Sequence, residues 1–584
     1  MLLHLFPRSN LSSGPSFAGK PGKASSGLRP IWVVVISSLW IATVCNVALW
    51  RELARLPDLT AGQALTVSVA LGLVIALATI ALLSLFAWRW TLKPVITIFL
   101  VSAALGAYFM MAYGIVIDKT MMVNTLQTDI KESRDLFNWR LVGTVLLMAV
   151  GPCFLLWRQN IRRQGVLRQI TSNAMTFAAA CALLVLVVFI FFQGIASVMR
   201  NYTQVRYLIN PLNSFYALGM LAANPLKRDE SKVLPLGEDA KLGASYTGQT
   251  KPPLLLLVLG ETARSGNFSI NGYTRPTTPK LAQENIASQR NAWSCGTSTA
   301  ASLPCMFSNL GREAYDARPA NYEGLLDVLQ RAGLAVLWID NQSGCKGACD
   351  RLTGSPDGPS VDTDGLKIPG LCSGGECFDE VMLDKIDERI TALPAERRAR
   401  GVVVVMHQMG SHGPAYYKRS PDDKKKFLPE CTTNALQTCT QQGLINAYDN
   451  SIAYTDHFLS ASIQWLKGQE QRSNAAMIYV SDHGESLGEN NLYLHGMPYS
   501  IAPDVQKHVP WITWLSPGFE ARSSISTECL KKQLDTRVTH DNYFHSVLGI
   551  MNVQTGVYKP ALDMYAPCAK TVNAANAATT GASK

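Results

Sequence analysis

The chain is short of charge. Only 16% of its 584 residues are Asp, Glu, Lys or Arg, against roughly a quarter in an average soluble domain. That excludes a disordered chain, which needs high charge and few apolar residues, and equally a small soluble module or a purely cytosolic enzyme. Histidine is scarce, with 9 copies, so each one beside a polar strand end is worth following. No internal repeat is present, which sets solenoids and propellers aside. The charge deficit is concentrated: long apolar runs fill the chain up to about residue 200, and beyond it the composition is ordinary.

Five stretches, residues 31–50, 64–88, 95–117, 141–157 and 175–198, are apolar over the roughly 20 residues that cross a bilayer core as helix. The first is too long for a signal-peptide core and no small-residue cleavage site follows it, so it reads as a retained helix. The leader, residues 1–30, carries Arg8, Lys20, Lys23 and Arg29 and no acid; the second connection has Arg89 and Lys93, the fourth Arg158, Arg162, Arg163 and Arg168. Positive connections stay cytoplasmic. The N-terminus is therefore expected inside and everything beyond about residue 200 outside, and the net charge of +10 calls for no nucleic-acid partner.

Cys45, Cys153 and Cys181 fall within the spans. Of the other ten cysteines eight form close pairs by position, Cys295/Cys305, Cys345/Cys349, Cys372/Cys377 and Cys431/Cys439, and the distant Cys529 and Cys568 remain, their pairing left open by spacing. An even set in an exported segment predicts disulfides, each short loop adding about 2–3 kcal/mol. Zinc at the finger-like spacings Cys345/Cys349 and Cys372/Cys377 is the alternative, and an oxidising compartment favours cystines.

The Pro-punctuated residues 201–250 are expected to bridge along the membrane surface. Continuous apolar runs at 254–260, 334–339, 401–406, 476–480 and 511–515 read as doubly buried strands, alternating with helical patterns at 322–332, 378–393 and 443–467. The fold expected is a membrane domain of five transmembrane helices (31–200) plus an α/β catalytic domain (251–568), with a disordered tail (569–584). Chemistry in such sheets gathers at the carboxyl ends of strands. Three strands run straight into Glu261-Thr262, into His407 through His412, and into Ser481-Asp482-His483-Gly-Glu485. Glu, Asp and His suit zinc, whose catalytic sites keep one position open. Residues 294–305 supply a hydroxyl-rich loop for a metal-activated nucleophile. His407 reads two ways, as a neighbour of the ligands or a satisfied core histidine. Glu485 is expected to hold a ligand in place. His457, His508, His540 and His545 read as packing or surface residues.

GETAR (260–264), CGTSTAASLPCMFS (295–308), DNQSGCKG (340–347), HQMGSHGP (407–414), SDHGESLGEN (481–490) and YLHGMP (493–498) together resemble the membrane phosphoethanolamine transferases that modify lipid A. That family includes the mobile colistin-resistance enzymes. The resemblance implies an alkaline-phosphatase/sulfatase-like periplasmic domain on five inner-membrane helices of a bacterium. It implies Zn2+, one ion tight and a second weaker, held by Glu261, Thr299, Asp482 and His483. Thr299 is then the nucleophile that takes phosphoethanolamine from phosphatidylethanolamine and passes it to a lipid A phosphate, giving resistance to cationic peptides such as polymyxin. His412 and His495 correspond to substrate-facing histidines, either of them the general acid, and Lys346 to a lysine beside the headgroup. Gln342 stands where the family often has Asn. Asn124, Thr128 and Glu132 match positions assigned to the donor pocket, or cap an interfacial helix. A monomer is expected.

Three rivals stand beside this reading. A periplasmic sulfatase or phosphatase would share sheet and metal, but Ser302-Leu-Pro-Cys-Met306 lacks the Arg of the sulfatase signature. A non-catalytic membrane scaffold would have no use for Thr299 beside a metal set. Within the family, the acceptor could be an inner-core sugar of lipopolysaccharide, or the transferred group phosphoglycerol.

Overall fold

The computed structural model describes residues 27–569 apart from 129, 163, 224–231, 353–359 and 363–367, and apart from the side chains of 130–132 and 360–362. Most of the leader, the tail beyond residue 569 and the Glu132 side chain thus lie outside the described residues.

Among the described residues, five helices are long and apolar enough to cross a membrane: α1 (Pro30–Leu53), α2 (Ala61–Leu85), α3 (Leu92–Tyr113), α6 (Trp139–Arg158) and α7 (Val166–Ile190). Between α3 and α6 lie the short α4 (Lys119–Gln127) and α5 (Ile130–Leu136). After α7 come α8 (Phe192–Asn201) and α9 (Leu212–Ala222). Helix starts follow local chemistry. Thr60 and Gln63 form a reciprocal capping box on α2, and Asp118 Oδ1 accepts from the Met121 N–H at the start of α4. Trp32, Leu167 and Phe189 are exposed on the spans, as apolar side chains facing lipid are. The fifth span differs from expectation. The predicted 175–198 becomes Val166–Ile190, because the polar Arg168, Gln169, Ser172 and Asn173 fit in the opening turns at headgroup level. The chain then breaks at Phe191 (φ −102°, ψ 16°) before α8.

The soluble half is built on an eight-stranded sheet. Its strands are β1 (Pro253–Gly260), β2 (Ile286–Trp293), β3 (Ala335–Asp340), β4 (Ser360–Asp362), β5 (Val402–His407), β6 (Asn474–Ser481), β7 (His508–Leu515) and β8 (Val538–Thr539). They lie in the order β8-β2-β7-β6-β1-β5-β3-β4. β1, β5, β3 and β6 are parallel and buried along their length, apart from half-buried Asn474 at the start of β6, hence their unbroken apolar runs. β7 is antiparallel to β6 and β2. Helices α10 (Thr299–Met306), α11 (Leu325–Arg331), α12 (Gln441–Gln469) and α13 (Tyr543–Ile550) accompany the sheet. The helix expected over 378–393 is two pieces, Asp379–Leu383 and Ile386–Thr391, parted at Lys385 with φ 51°.

The two halves share a core. Tyr108, Tyr113 and Met121 pack in one apolar cluster with Tyr416, Tyr448 and Leu494 of the soluble half. Helix α3 ends at Gly114 (φ 69°), where a Cβ would lie 2.8 Å from the Asn491 carbonyl oxygen, so only glycine fits.

Cys295–Cys305, Cys345–Cys349, Cys372–Cys377, Cys431–Cys439 and Cys529–Cys568 are disulfides, and Cys45, Cys153 and Cys181 are free thiols. Cys439 is a structural residue. It is half-buried against the apolar cluster that α12 joins, directly before Thr440, whose hydroxyl caps that helix. Its partner Cys431 donates its N–H to the Gly443 carbonyl at 2.8 Å in the first turn, so the bridge fastens the incoming loop to the start of α12. The Cys529–Cys568 bridge spans 39 residues, for which loop-closure entropy gives about 4 kcal/mol. Cys529→Ser together with Cys568→Ser is expected to lower the denaturant midpoint more than Cys345→Ser with Cys349→Ser, by the difference of about 2 kcal/mol between the two loop closures; equal losses in chemical denaturation would contradict this.

Candidate metal and nucleophile site

Register builds the site. Gly260 lies opposite Ser481, Leu259 opposite His407, and His407 opposite Asp340. Four parallel strands therefore end level, and the residues just past those ends converge. Thr262, directly after Glu261, has φ 52°, an uncommon conformation for a β-branched residue. It is held there by the Tyr448 hydroxyl, which donates to the Thr262 carbonyl at 2.7 Å, and by its own N–H, which donates to Asp482 Oδ1 at 3.2 Å. Gly410 passes so close that a Cβ would meet the Glu261 carbonyl oxygen at 2.8 Å.

Thr299, the first residue of α10, donates from Oγ1 to Glu261 Oε2 at 3.0 Å. Gln342 Nε2 donates to the same oxygen at 3.2 Å, so this departure from the family's Asn still reaches the site. His483 Nε2 is 3.4 Å from Glu261 Oε1 and 3.3 Å from Asp482 Oδ2. His483 Nδ1 donates to the Gly484 carbonyl at 2.8 Å, which leaves Nε2 as the lone-pair nitrogen. Glu261, Asp482 and His483 are wholly buried and offer one ligand atom each within 4.8 Å of the others. Asp482 Oδ2 and His483 Nε2 have no hydrogen-bond partner. Buried polar atoms are seldom left so, and a carboxylate–carboxylate–imidazole set with a hydroxyl alongside fits Zn2+. Among the cysteines, Cys295–Cys305 closes the loop that carries Thr299, whereas Cys431 and Cys439 fall outside every group of described residues that could hold a metal.

The remaining histidines sort themselves by contact. The His495 ring is 4.3 Å from that of His483 and 5.5 Å from that of His412, and its Nδ1 is 3.3 Å from Glu485. Burial first, then the charges of His495 and Arg419, holds the His412 pKa well below the usual value. His407 lies outside the Glu261–Asp482–His483 trio and pairs through Nδ1 with Asp340 at 3.2 Å. Burial would lower its pKa, but Asp340, with Glu261 and Asp482 beyond, raises it; Asp340 is itself brought down to about 2 against its own burial, chiefly by His407. Asp340 opens the DNQSGCKG motif and ends a strand like the others, but no role for it is read from the sequence. His457 contacts Glu380, and His508 stacks on Trp293. His545 is buried and accepts from the Lys559 N–H.

Lys346 donates to the Ser343 carbonyl and hydroxyl at 3.0 and 2.9 Å. It lines a cavity of about 660 Å3 between α4 and α10, together with Lys119, Leu126, Ala300, Arg318 and Arg351. Asn124 and Thr128 do not line this cavity. Thr128 caps the end of α4, its hydroxyl donating to the Asn124 carbonyl at 2.8 Å.

Residues 75–226 match the family Phosphoethanolamine transferase EptA/EptB, and residues 253–553 match the family Sulfatase. The chain belongs to the phosphoethanolamine transferases. It is 37% identical over 547 residues to phosphoethanolamine transferase EptA of Escherichia coli K12, covering 92% of this chain and 96% of that protein. Phosphatidylethanolamine transferase Mcr-1 of Escherichia coli is 35% identical over 90% of this chain and 95% of its own. Kdo(2)-lipid A phosphoethanolamine 7''-transferase of Salmonella typhimurium is 26% identical over 88% and 92%. The solved structure of the integral membrane lipooligosaccharide phosphoethanolamine transferase A from Neisseria meningitidis superposes with TM-score 0.85 at 32% identity, covering 92% of this chain and 98% of that one. This membrane enzyme thus shares the alkaline-phosphatase/sulfatase architecture.

His540, buried, is the strut between the loop that carries Thr299 and the end of β6. Its Nδ1 accepts from the Cys295 N–H at 3.1 Å and its Nε2 donates to the Ser481 carbonyl at 3.0 Å. Burial pushes its pKa down to about 4, so the neutral ring is the folded form. Its contribution is complete above pH 6.5, where the unfolded ring is also neutral, and is lost as pH falls through about 4, in total about 3 kcal/mol. Between pH 6.5 and 4, His540→Gln is expected to flatten the fall of the denaturant midpoint relative to the parent; parallel curves would refute that.

Proposed function

We propose that the chain transfers phosphoethanolamine from phosphatidylethanolamine to a phosphate of lipid A, through a covalent intermediate on Thr299. The carrying observation is the Thr299 hydroxyl 3.0 Å from Glu261, beside two buried ligand atoms that have no hydrogen-bond partner. In this reading the N-terminus is cytoplasmic, the catalytic half periplasmic, and the protein a monomer divided near residues 200 and 250. Glu261, Thr299, Asp482 and His483 hold Zn2+, which when bound supplies a Lewis acid that stabilises charge on the phosphoryl oxygens and acidifies the nearby hydroxyl; a second, weaker ion belongs near His412 and His495.

The chain's own residues do the rest. The donor headgroup enters the cavity between α4 and α10, where Lys346, Lys119 and Arg318 provide positive charge for its phosphate. Asn124, Thr128 and Glu132 belong to the segment that meets the lipid. Thr299 attacks phosphorus, its proton passing to Glu261. Diacylglycerol departs as its oxygen is protonated by His495, whose ring Glu485 orients. His412, kept neutral, is the natural acceptor of a proton from the acceptor phosphate as it attacks phospho-Thr299; the bond from phosphorus to the Thr299 oxygen breaks, Glu261 returns its proton to that oxygen, and His412 passes its own to the neighbouring His495. Gln342 steadies Glu261 throughout. The product carries an ammonium where there was only negative charge, which weakens attraction for cationic peptides such as polymyxin.

Transfer to an inner-core sugar is the second reading, favoured by the relatives at 25–26% identity; identities of 35–37% to EptA and Mcr-1 support the first. Thr299→Ala is expected to abolish transfer by at least about 10³-fold. Mass spectrometry of the quenched parent enzyme should find phosphoethanolamine on the Thr299 peptide, and lipid A from expressing cells should gain it on a phosphate. Modified core sugar with unmodified lipid A would install the second reading. Turnover retained in Thr299→Ala would remove the nucleophile.

A further inference from the structure

The deepest ion cluster of the described interface lies between the membrane half and the soluble half. Asp135, near the end of α5, is 3% exposed at its side chain and meets two cations, Lys418 and Arg419; Arg419 Nη2 lies 2.9 Å from its Oδ2. The Asp135 carbonyl also accepts from Asn434 Nδ2 at 2.7 Å, and the Tyr113 hydroxyl, at the end of span α3, donates to the Asn434 carbonyl at 3.3 Å. Arg419, 5% exposed, uses the rest of its fork on the catalytic side. Its Nε donates to the His412 carbonyl at 2.8 Å, and its Nη1 lies 3.2 Å from Glu376 in the Cys372–Cys377 hairpin. One guanidinium thus joins an interfacial helix to the backbone of a histidine whose ring faces His495. A planar fork with fixed donors transmits position, which a flexible ammonium does not.

We propose that Asp135 is a positioning residue: seating the membrane helices on the soluble half sets His412 through Arg419. The inference rests on the proposed role of His412 at the substrate side of the site. Without the carboxylate, the buried guanidinium loses one of its two counter-charges. A cavity of about 580 Å3, lined by Glu376, Lys418, Arg419 and Gly410, opens beside it. Arg419 then has room to swing, and the His412 carbonyl goes with it. The consequence is an enzyme whose site is complete only while docked on the helices that deliver its lipid.

The test uses the full chain in detergent micelles with phosphatidylethanolamine as donor. Asp135→Asn is expected to lower kcat by about tenfold or more with KM within about twofold, and Asp135→Glu to recover most of it. Arg419→Lys, which keeps the charge but loses the His412 contact, should give a similar loss, and the double variant no further loss, because both act through one linkage. Unchanged kcat in Asp135→Asn with a lowered melting temperature would reduce the cluster to structural glue and overturn the proposal; so would losses that multiply in the double variant. Thr299→Ala is run alongside. Activity surviving there would fail the phosphotransfer reading itself, whereas its loss leaves the Asp135 result to be judged alone.

Discussion

Two buried atoms constrain everything around them: Asp482 Oδ2 and His483 Nε2, fully enclosed and without a hydrogen-bond partner. Leaving such groups dry costs about 1–3 kcal/mol each, and more for a charge. The fold holds them in place with the strand register, the left-handed Thr262, the close pass of Gly410 and the His540 strut. That much local effort against an unfavourable arrangement marks a site shaped for something that completes it.

The same sheet edge explains why the membrane half is no mere anchor. Helix α4 packs against α10, whose first residue is Thr299, and the terminal methyl of Met121 on α4 rests directly against the glycine after His495. Helix α4 and the segment that begins at Thr299 are thus built against each other. The cavity between them comes within one residue of Thr299, since Ala300 is in its wall.

Much of this was readable in the residues because strong physical demands leave plain patterns. Hydrocarbon thickness dictates span length, and four of the five spans fell within four residues of their helices. Strands buried on both faces show as unbroken apolar runs, so β1, β3, β5, β6 and β7 were found. β2 was not: IASQRNAW is polar because it lies next to the short edge strand β8. Cysteine spacing marked the four short bridges, left the Cys529–Cys568 pairing open, and did not show their purpose: Cys295–Cys305 closes the loop that carries Thr299, while Cys431–Cys439 only ties a loop to α12. The break at Lys385 gave no sign, since a left-handed lysine looks like any other. The convergence of Glu261, Thr299, Asp482 and His483 was an expectation from strand ends and from family resemblance, and the coordinates bring these residues within reach of one another. Asp340 and His540 act through contacts to residues far along the chain, Asp340 to His407 and His540 to Cys295 and Ser481. The Asp135–Arg419 pair joins residues 284 apart, and nothing local in the sequence announces it.

The account stands on one cation seated between Glu261, Asp482 and His483, against Thr299. Crystals of the full chain grown with zinc and measured on either side of the zinc absorption edge test this directly. The account predicts an anomalous peak at about 2.0–2.2 Å from His483 Nε2 and from oxygens of Glu261 and Asp482, with the Thr299 oxygen on the same ion. A peak elsewhere, or no peak at that point in zinc-saturated, active protein, would contradict it.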